Sequence, residues 1–295
     1  MLRKLFLILI TLLTVVAGTI YALKLEALIW YSLNEHNAAS ELNLNSYQVD
    51  IDAKPIDDID DLSGLTFNHE TGTLFSVLNG QPYIVELDDS GNLLRKIAVE
   101  GVEDMEGISH VHDNLFVIID ERDQRLLWIT IDSATTNIDT ADAPSMSLAL
   151  SGKRNKGLEG ISWDEHNQRM LLVQERNPLR VMAITGLIEG TLSTNKLVIQ
   201  QLHTERKSRL WLRDLSSVTH DQHARHLVFL SDESKMVVEY DLAGEAVSFL
   251  NLRRGAHGLQ ASIPQAEGLA IGPDDAVYIV SEPNLFYKFT RGEAQ

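Results

Sequence analysis

Apolar and polar positions follow two different rules along the chain, and the change falls near residue 46. Residues 5 to 23, LFLILITLLTVVAGTIYAL, form an uncharged run preceded by Arg3 and Lys4. That is about the length that crosses a bilayer as a helix. From residue 48 onward the apolar positions fall in short β-branched and aromatic runs broken by Gly, Asn, Asp and Pro, without a sustained helical period. This pattern predicts strands and few helices. Between the two lies SLNEHNAASELNLNS, residues 32 to 46, which is polar and small and predicts a tether. The expected organisation is a membrane anchor over 1–31, a linker over 32–46 and a β domain over 47–295.

Self-similarity then organises the β region. The segments starting DLSGLTF (61), DMEGISH (104), GLEGISW (157), DLSSVTH (214) and QAEGLAI (265) align as five copies. Each reads as strand, polar turn, strand, polar loop, strand. The anchor positions Ser63, Glu106, Glu159, Ser216 and Glu267 recur at intervals of roughly 43 to 57 residues. That period suits one four-stranded blade, with stretches such as LLRKIAVE (93–100) and VSFLNL (247–252) as fourth strands. The predicted fold is all-β, a five-bladed β-propeller preceded by a single N-terminal transmembrane helix.

A radial array brings equivalent positions together at one axis. The anchor set is Ser63, Glu106, Glu159, Ser216 and Glu267, and the end of the second strand contributes Asn79, Glu121, Glu175, Glu233 and Glu282. Four anchors are followed by glycine (Gly64, Gly107, Gly160, Gly268), as expected where little room remains for a side chain. Carboxylates gathered across a narrow channel must protonate, pair with basic groups or hold a cation. Calcium leads, because it accepts six to eight oxygen donors and tolerates irregular geometry, whereas zinc favours His or Cys. Glu106, Glu159, Glu267, Glu121 and Glu175 are the expected metal ligands, with Asn79, Glu233, Glu282, Arg122 and Arg176 around a pocket. The competing reading is that these carboxylates accept backbone hydrogen bonds and only seal the ring.

Charge and composition narrow the partners. A formal net charge of −17 argues against nucleic acid, whose recognition rests on Lys and Arg. The absence of cysteine excludes disulfides, thiolate metal sites, a thiol nucleophile and a lipoprotein anchor. VAG at 16–18 is a poor cleavage site, which favours an uncleaved anchor. Arg3 and Lys4 on the cytoplasmic side would place the rest across the membrane, in the periplasm of a Gram-negative bacterium at its inner membrane.

The strings DMEGI, IDERD, GLEGI, QERNP, LSDES, QAEGL and VSEPNLFYKF occur in that order. Over about residues 47 to 291 they resemble the SdiA-regulated (YjiK-type) family of bacterial envelope proteins. The resemblance implies a five-bladed propeller distantly related to NHL-repeat proteins, with bound calcium and no established biochemical activity.

Other chemistry is weaker. Arg122 and Arg176 follow Glu121 and Glu175 at equivalent positions and suit either a ligand clamp or ion pairs with neighbouring carboxylates. ELDDSGNLL (86–94) lacks the calcium-loop pattern of an EF-hand and predicts a hairpin turn. HVH (110–112) and HDQHARH (220–226) are expected in exposed hairpins, and Trp128, Trp163 and Trp211 in blade packing. No G-x-S-x-G, H-E-x-x-H or Gly-rich phosphate loop is present. Two functional classes remain: a membrane-anchored binding, sensing or interaction module for a protein or small ligand, and a calcium-dependent hydrolase (lactonase-, esterase- or phytase-like). In the second, Glu121, Glu175 or Glu282 would be the general base.

Overall fold

Two helices precede the strands. α1 (Leu2–Ala22) is the apolar run; its segment Arg3–Ala22 is long and apolar enough to cross a membrane, and none of that window is buried by the rest of the protein. A turn at Lys24, with φ of 54°, leads into α2 (Glu26–Asn34). The computed structural model describes residues 2–34, 42–148, 157–192, 196–203, 209–241 and 243–292.

The strands form five blades. β1 (Tyr47–Pro55) comes first in the chain, and its partner comes last. Blade one is β2 (Leu62–Asn68), β3 (Thr73–Leu78), β4 (Tyr83–Leu87) and β5 (Leu93–Glu100). Blade two contains β6 (Met105–His112), β7 (Leu115–Asp120) and β8 (Arg125–Thr130). Two short strands follow: β9 (Asn137–Asp139) pairs in parallel with β5, and β10 (Ser145–Ser147) completes blade two. Blade three is β11 (Leu158–Asp164), β12 (Arg169–Gln174), β13 (Arg180–Thr185) and β14 (Val198–Leu202). Blade four is β15 (Ser217–His220), β16 (Leu227–Ser231), β17 (Met236–Tyr240) and β18 (Ala246–Asn251). Blade five is β19 (Ala266–Ile271), β20 (Val277–Ser281) and β21 (Leu285–Arg291), with β1 as its outer strand. β1 runs antiparallel to β21, from Tyr47 opposite Arg291 to Pro55 opposite Leu285. The ring is thereby closed by strand pairing between the two ends of the β domain, which protects an edge that would otherwise be open.

Alternation along each strand explains why the blades are buried on both faces. In β7, Phe116 and Ile118 pack with Phe75, Val77 and Ile84 of blade one, while Val117 and Ile119 pack with Leu158, Ile161 and Leu172 of blade three. Successive side chains point to opposite faces of a strand, so one apolar run feeds two interblade cores. The inner strands β2, β6, β11, β15 and β19 pack against one another in cyclic order around the axis.

That inner ring leaves no room for side chains at the repeated glycine. A Cβ on Gly268 would lie 2.8 Å from the backbone of Gly64, and one on Gly64 would lie 2.8 Å from the Glu106 carbonyl oxygen. Gly64 also adopts φ of 49°, which disfavours any residue with a side chain.

Three expectations change. Residues 32–46 were read as a tether, yet residues 32–34 continue α2, and Leu42 and Leu44 are fully buried in the core between blades four and five. Residues 35–41 lie outside the described residues. Ahead of that stretch, within the residues assigned to the anchor, Ala27 and Tyr31 of α2 pack on the core between blades three and four. Trp211 is 45% exposed and stacks on Trp30 of α2, with ring centroids 5.3 Å apart, so it serves helix docking and not blade packing. His220 is buried in β15 with its Nε2 3.5 Å from Asp164, although an exposed hairpin was expected. The hairpin at 86–94 is as read, with Asp88 accepting from the Ser90 and Asn92 backbone N–H groups.

Replacing Gly268 by Val should destabilise the fold by about 2 kcal/mol or more through overpacking. Ser217→Gly, at the equivalent place in blade four, should change stability by less than about 1 kcal/mol. Thermal unfolding of both variants checks this; equal, small effects would show that the inner ring is loosely packed.

Candidate metal centre at the propeller axis

The start of three inner strands carries the key geometric device. Pairing between β6 and β7 skips from Met105 to Gly107, that between β11 and β12 from Leu158 to Gly160, and that between β19 and β20 from Ala266 to Gly268. The residue left out of the ladder is Glu106, Glu159 or Glu267. A bulge places one extra residue opposite none and re-aims its side chain. In blade one the irregularity falls one residue later, leaving out Gly64 while Ser63 pairs with Val77, and the blade four ladder starts at Ser217 without one.

A second regularity ties the two residue sets together. The backbone N–H groups of Asn79, Glu121, Glu175 and Glu282 donate to the carbonyls of Asp61, Asp104, Gly157 and Gln265, each two residues before an anchor position. In blade four the Glu233 N–H donates instead to the carboxylate of Asp214, at 3.0 and 3.1 Å. The end of the second strand is thus clamped beside the start of the first in every blade.

The result is an acidic cluster in which Glu106 is buried and Asp104 and Glu121 are half-buried. One carboxylate oxygen each of Asp104, Glu106 and Glu121 lies within 4.8 Å of the others, and this group could hold a metal ion. Glu106 is 8% exposed. Its carboxylate accepts from the Ser63 hydroxyl at 2.9 Å and from the Asn79 amide. Glu121 accepts from the Gly157 backbone N–H at 2.8 Å. Burial pushes the Glu106 carboxyl well above its usual range, and Glu121, Asp104 and Glu282 push it further, against the opposing Ser63 hydrogen bond. Glu159 is raised in the same direction by burial and then by Glu106, Glu121, Glu267 and Glu175. Glu267 is pushed up to about 8 by burial, with Asp232, Glu106 and Glu282 adding to it. Burial also raises Glu121 and Glu282, and Asp214 rises to about 6 although Ser231 and the Glu233 N–H oppose the shift. Glu106 thus acts on both Glu159 and Glu267, and Glu267 acts on Glu159.

The remaining expected residues surround this group. Glu175 and Glu233 are both held by Arg176, and Lys24 reaches Glu233 at 3.6 Å. Arg122 pairs with Glu103 and lies 3.9 Å from Asp104. Both arginines are therefore engaged by carboxylates. Asp104 and Asp214 were not anticipated as members of the centre. Their signal is nevertheless in the repeat: aspartate stands two residues before the anchor in blades one, two and four, at Asp61, Asp104 and Asp214.

Comparison with solved structures finds chains of similar fold at low sequence identity. A luciferin-regenerating enzyme matches at 14% identity with a TM-score of 0.51, covering 84% of this chain and 97% of that one. A chain of a nidogen/laminin complex matches at 16% identity and a TM-score of 0.47, covering 76% of this chain and 73% of that one. A virginiamycin B lyase from Staphylococcus aureus matches at 12% identity and a TM-score of 0.43, covering 78% and 66% of the two chains. The sequence carries a more specific relation, because one family description spans the propeller from before β1 to within β21. With residues 39–290 matched, the chain belongs to the SdiA-regulated family.

Proposed function

We propose that this protein is a membrane-anchored periplasmic binding or sensing module whose propeller axis holds a calcium ion. The observation that carries the reading is the acidic group at the blade two bulge, where Glu106 leaves its ladder and one carboxylate oxygen each of Asp104, Glu106 and Glu121 lies within 4.8 Å of the others. Asp104, Glu106 and Glu121 would supply carboxylates, with Glu159, Glu267 and Glu175 as further donors. The available donors are carboxylate, hydroxyl and amide groups, a set suited to a hard cation that accepts irregular oxygen coordination. Bound calcium would balance charge that otherwise has to be removed by protonation.

Anchoring is supported by the apolar length of α1, by Arg3 and Lys4 in its first turn, and by the packing of α2 on the blades. The binding-module reading is favoured over the hydrolase because two of the three general bases expected for the latter are engaged. Glu175 is paired with Arg176, and Glu121 accepts from Gly157. A general base has to reach a substrate proton.

Calorimetric titration of the metal-stripped full chain in detergent should show one calcium site. Glu106→Gln and Glu159→Gln should each weaken it roughly tenfold or more, since ligand charge sets affinity. Unchanged affinity in both variants, or no binding by the parent, would mean that the carboxylates only seal the ring.

Stability should depend on pH in a defined direction. Glu267 has a usual value of 4.5 and is raised to about 8 in the fold, so between these limits the folded chain holds more protons than the unfolded one. Metal-free stability must then fall as pH rises through that window. Calcium should reverse the loss most strongly near the upper limit, where the proton no longer competes. Thermal midpoints from about pH 5 to 8, with chelator and with calcium, check both; a flat metal-free profile refutes the assignment.

A further inference from the structure

Where the helices meet blades three and four, a cavity of about 890 Å3 opens that shares Arg176 and Glu233 with the border of the acidic centre. Its size suits a ligand site. One wall is apolar, formed by Leu179, Leu202 and Leu210, and the rim carries Arg176, Arg209 and Arg213. In a chain of net charge −17, three guanidinium groups around one opening are a local inversion of the surface field.

The charge balance at the rim favours an anion. Two carboxylates also line the cavity, and each is engaged: Glu26 with Arg213, and Glu233 with Arg176. Arg209 has no carboxylate partner among the described residues, and its guanidinium lies over the Trp211 ring, 5.2 Å from the centroid. Arg176 Nε is buried without a hydrogen-bond partner among those residues. A net positive rim over an apolar wall matches an amphiphile with an anionic head.

The position of α1 selects the source of that amphiphile. Tyr21, at the end of α1, lines the cavity; its carbonyl accepts from Arg213 at 2.8 Å, and its ring lies 4.6 Å from the same guanidinium. If Arg3–Ala22 spans a bilayer, its last turn lies at headgroup level. Trp30 and Trp211 stack close to the same end, where aromatic side chains favour the membrane interface. The Arg rim would then meet lipid phosphates directly, as guanidinium groups recognise them by paired hydrogen bonds.

We propose that this junction cavity binds an anionic phospholipid, with the phosphodiester at Arg209 and Arg213 and acyl chain carbon along Leu179, Leu202 and Leu210. The inference rests on the anchored reading of α1, and it gives the propeller a lipid-sensing site at its junction with the helices.

Native mass spectrometry of the delipidated full chain in detergent tests it, with phosphatidylglycerol, phosphatidylcholine and inorganic phosphate added separately. One phosphatidylglycerol should be retained per chain, at least tenfold more tightly than phosphatidylcholine. Arg209→Ala should weaken retention several-fold, and Leu179→Trp, which fills the cavity, should abolish it. Equal retention of the two lipids, binding of inorganic phosphate as tight as that of the lipid, or full retention in both variants would overturn the proposal. Carbonate-washed membranes report on the anchor separately. Wild-type protein that stays in the pellet yet retains no phospholipid refutes the cavity alone, whereas protein released to the supernatant refutes the anchor and this inference with it.

Discussion

The structure turns on one conflict, between close packing of the inner strands and the charge placed among them. Five inner strands approach so closely that four of the five repeats use glycine after the anchor position, and Gly64 and Gly268 meet backbone across the blade boundary. The residue before three of those glycines is a bulged glutamate. Packing fixes the backbone, the bulge takes the glutamate out of the ladder, and at Glu106 the carboxylate is left within 4.8 Å of oxygens of Asp104 and Glu121. Like charges in such a place are relieved by protons, by hydrogen-bond donors or by a cation. Ser63, Asn79 and the Gly157 N–H supply donors to part of the group. The raised carboxyls measure what those donors leave uncompensated.

The two ends of the chain are tied into the same arrangement. β1 completes blade five, so the ring closes only after β21 has formed and the first strand has found it. The helices before β1 meet the propeller near the mouth of the acidic group: Lys24 reaches Glu233, Arg213 holds Glu26, and the Tyr31 hydroxyl bonds that of Tyr240 at 2.8 Å. Arg176 pairs with both Glu175 and Glu233, and it also lines the cavity beside Tyr21. A continuous set of ion pairs therefore runs from the axial residues to the end of α1.

Much of the fold was legible because a repeat multiplies weak local signals. No single strand pattern identifies a propeller, but five aligned copies with glycine after the anchor do, and the inferred fourth strands appear as β5 and β18. The last blade's closure by β1 was hidden because that strand has no copy of its own in the repeat. Docking of α2 was hidden for a different reason: Ala27 and Tyr31 are two apolar positions in a short helix, and only the blade surface beneath them gives them meaning. At the axis, the glutamates were visible as an aligned column. Asp104 stands just before that column, and the proximity of its oxygen to Glu106 and Glu121 depends on the bulge between Met105 and Gly107.

The most direct test of the central claim is crystallographic location of calcium by its anomalous scattering in crystals grown with the ion. The account predicts one strong peak on the propeller axis, about 2.3–2.6 Å from carboxylate oxygens that include Glu106. An axis without a peak at saturating calcium, with Glu106 still bonded only to Ser63 and Asn79, would contradict it.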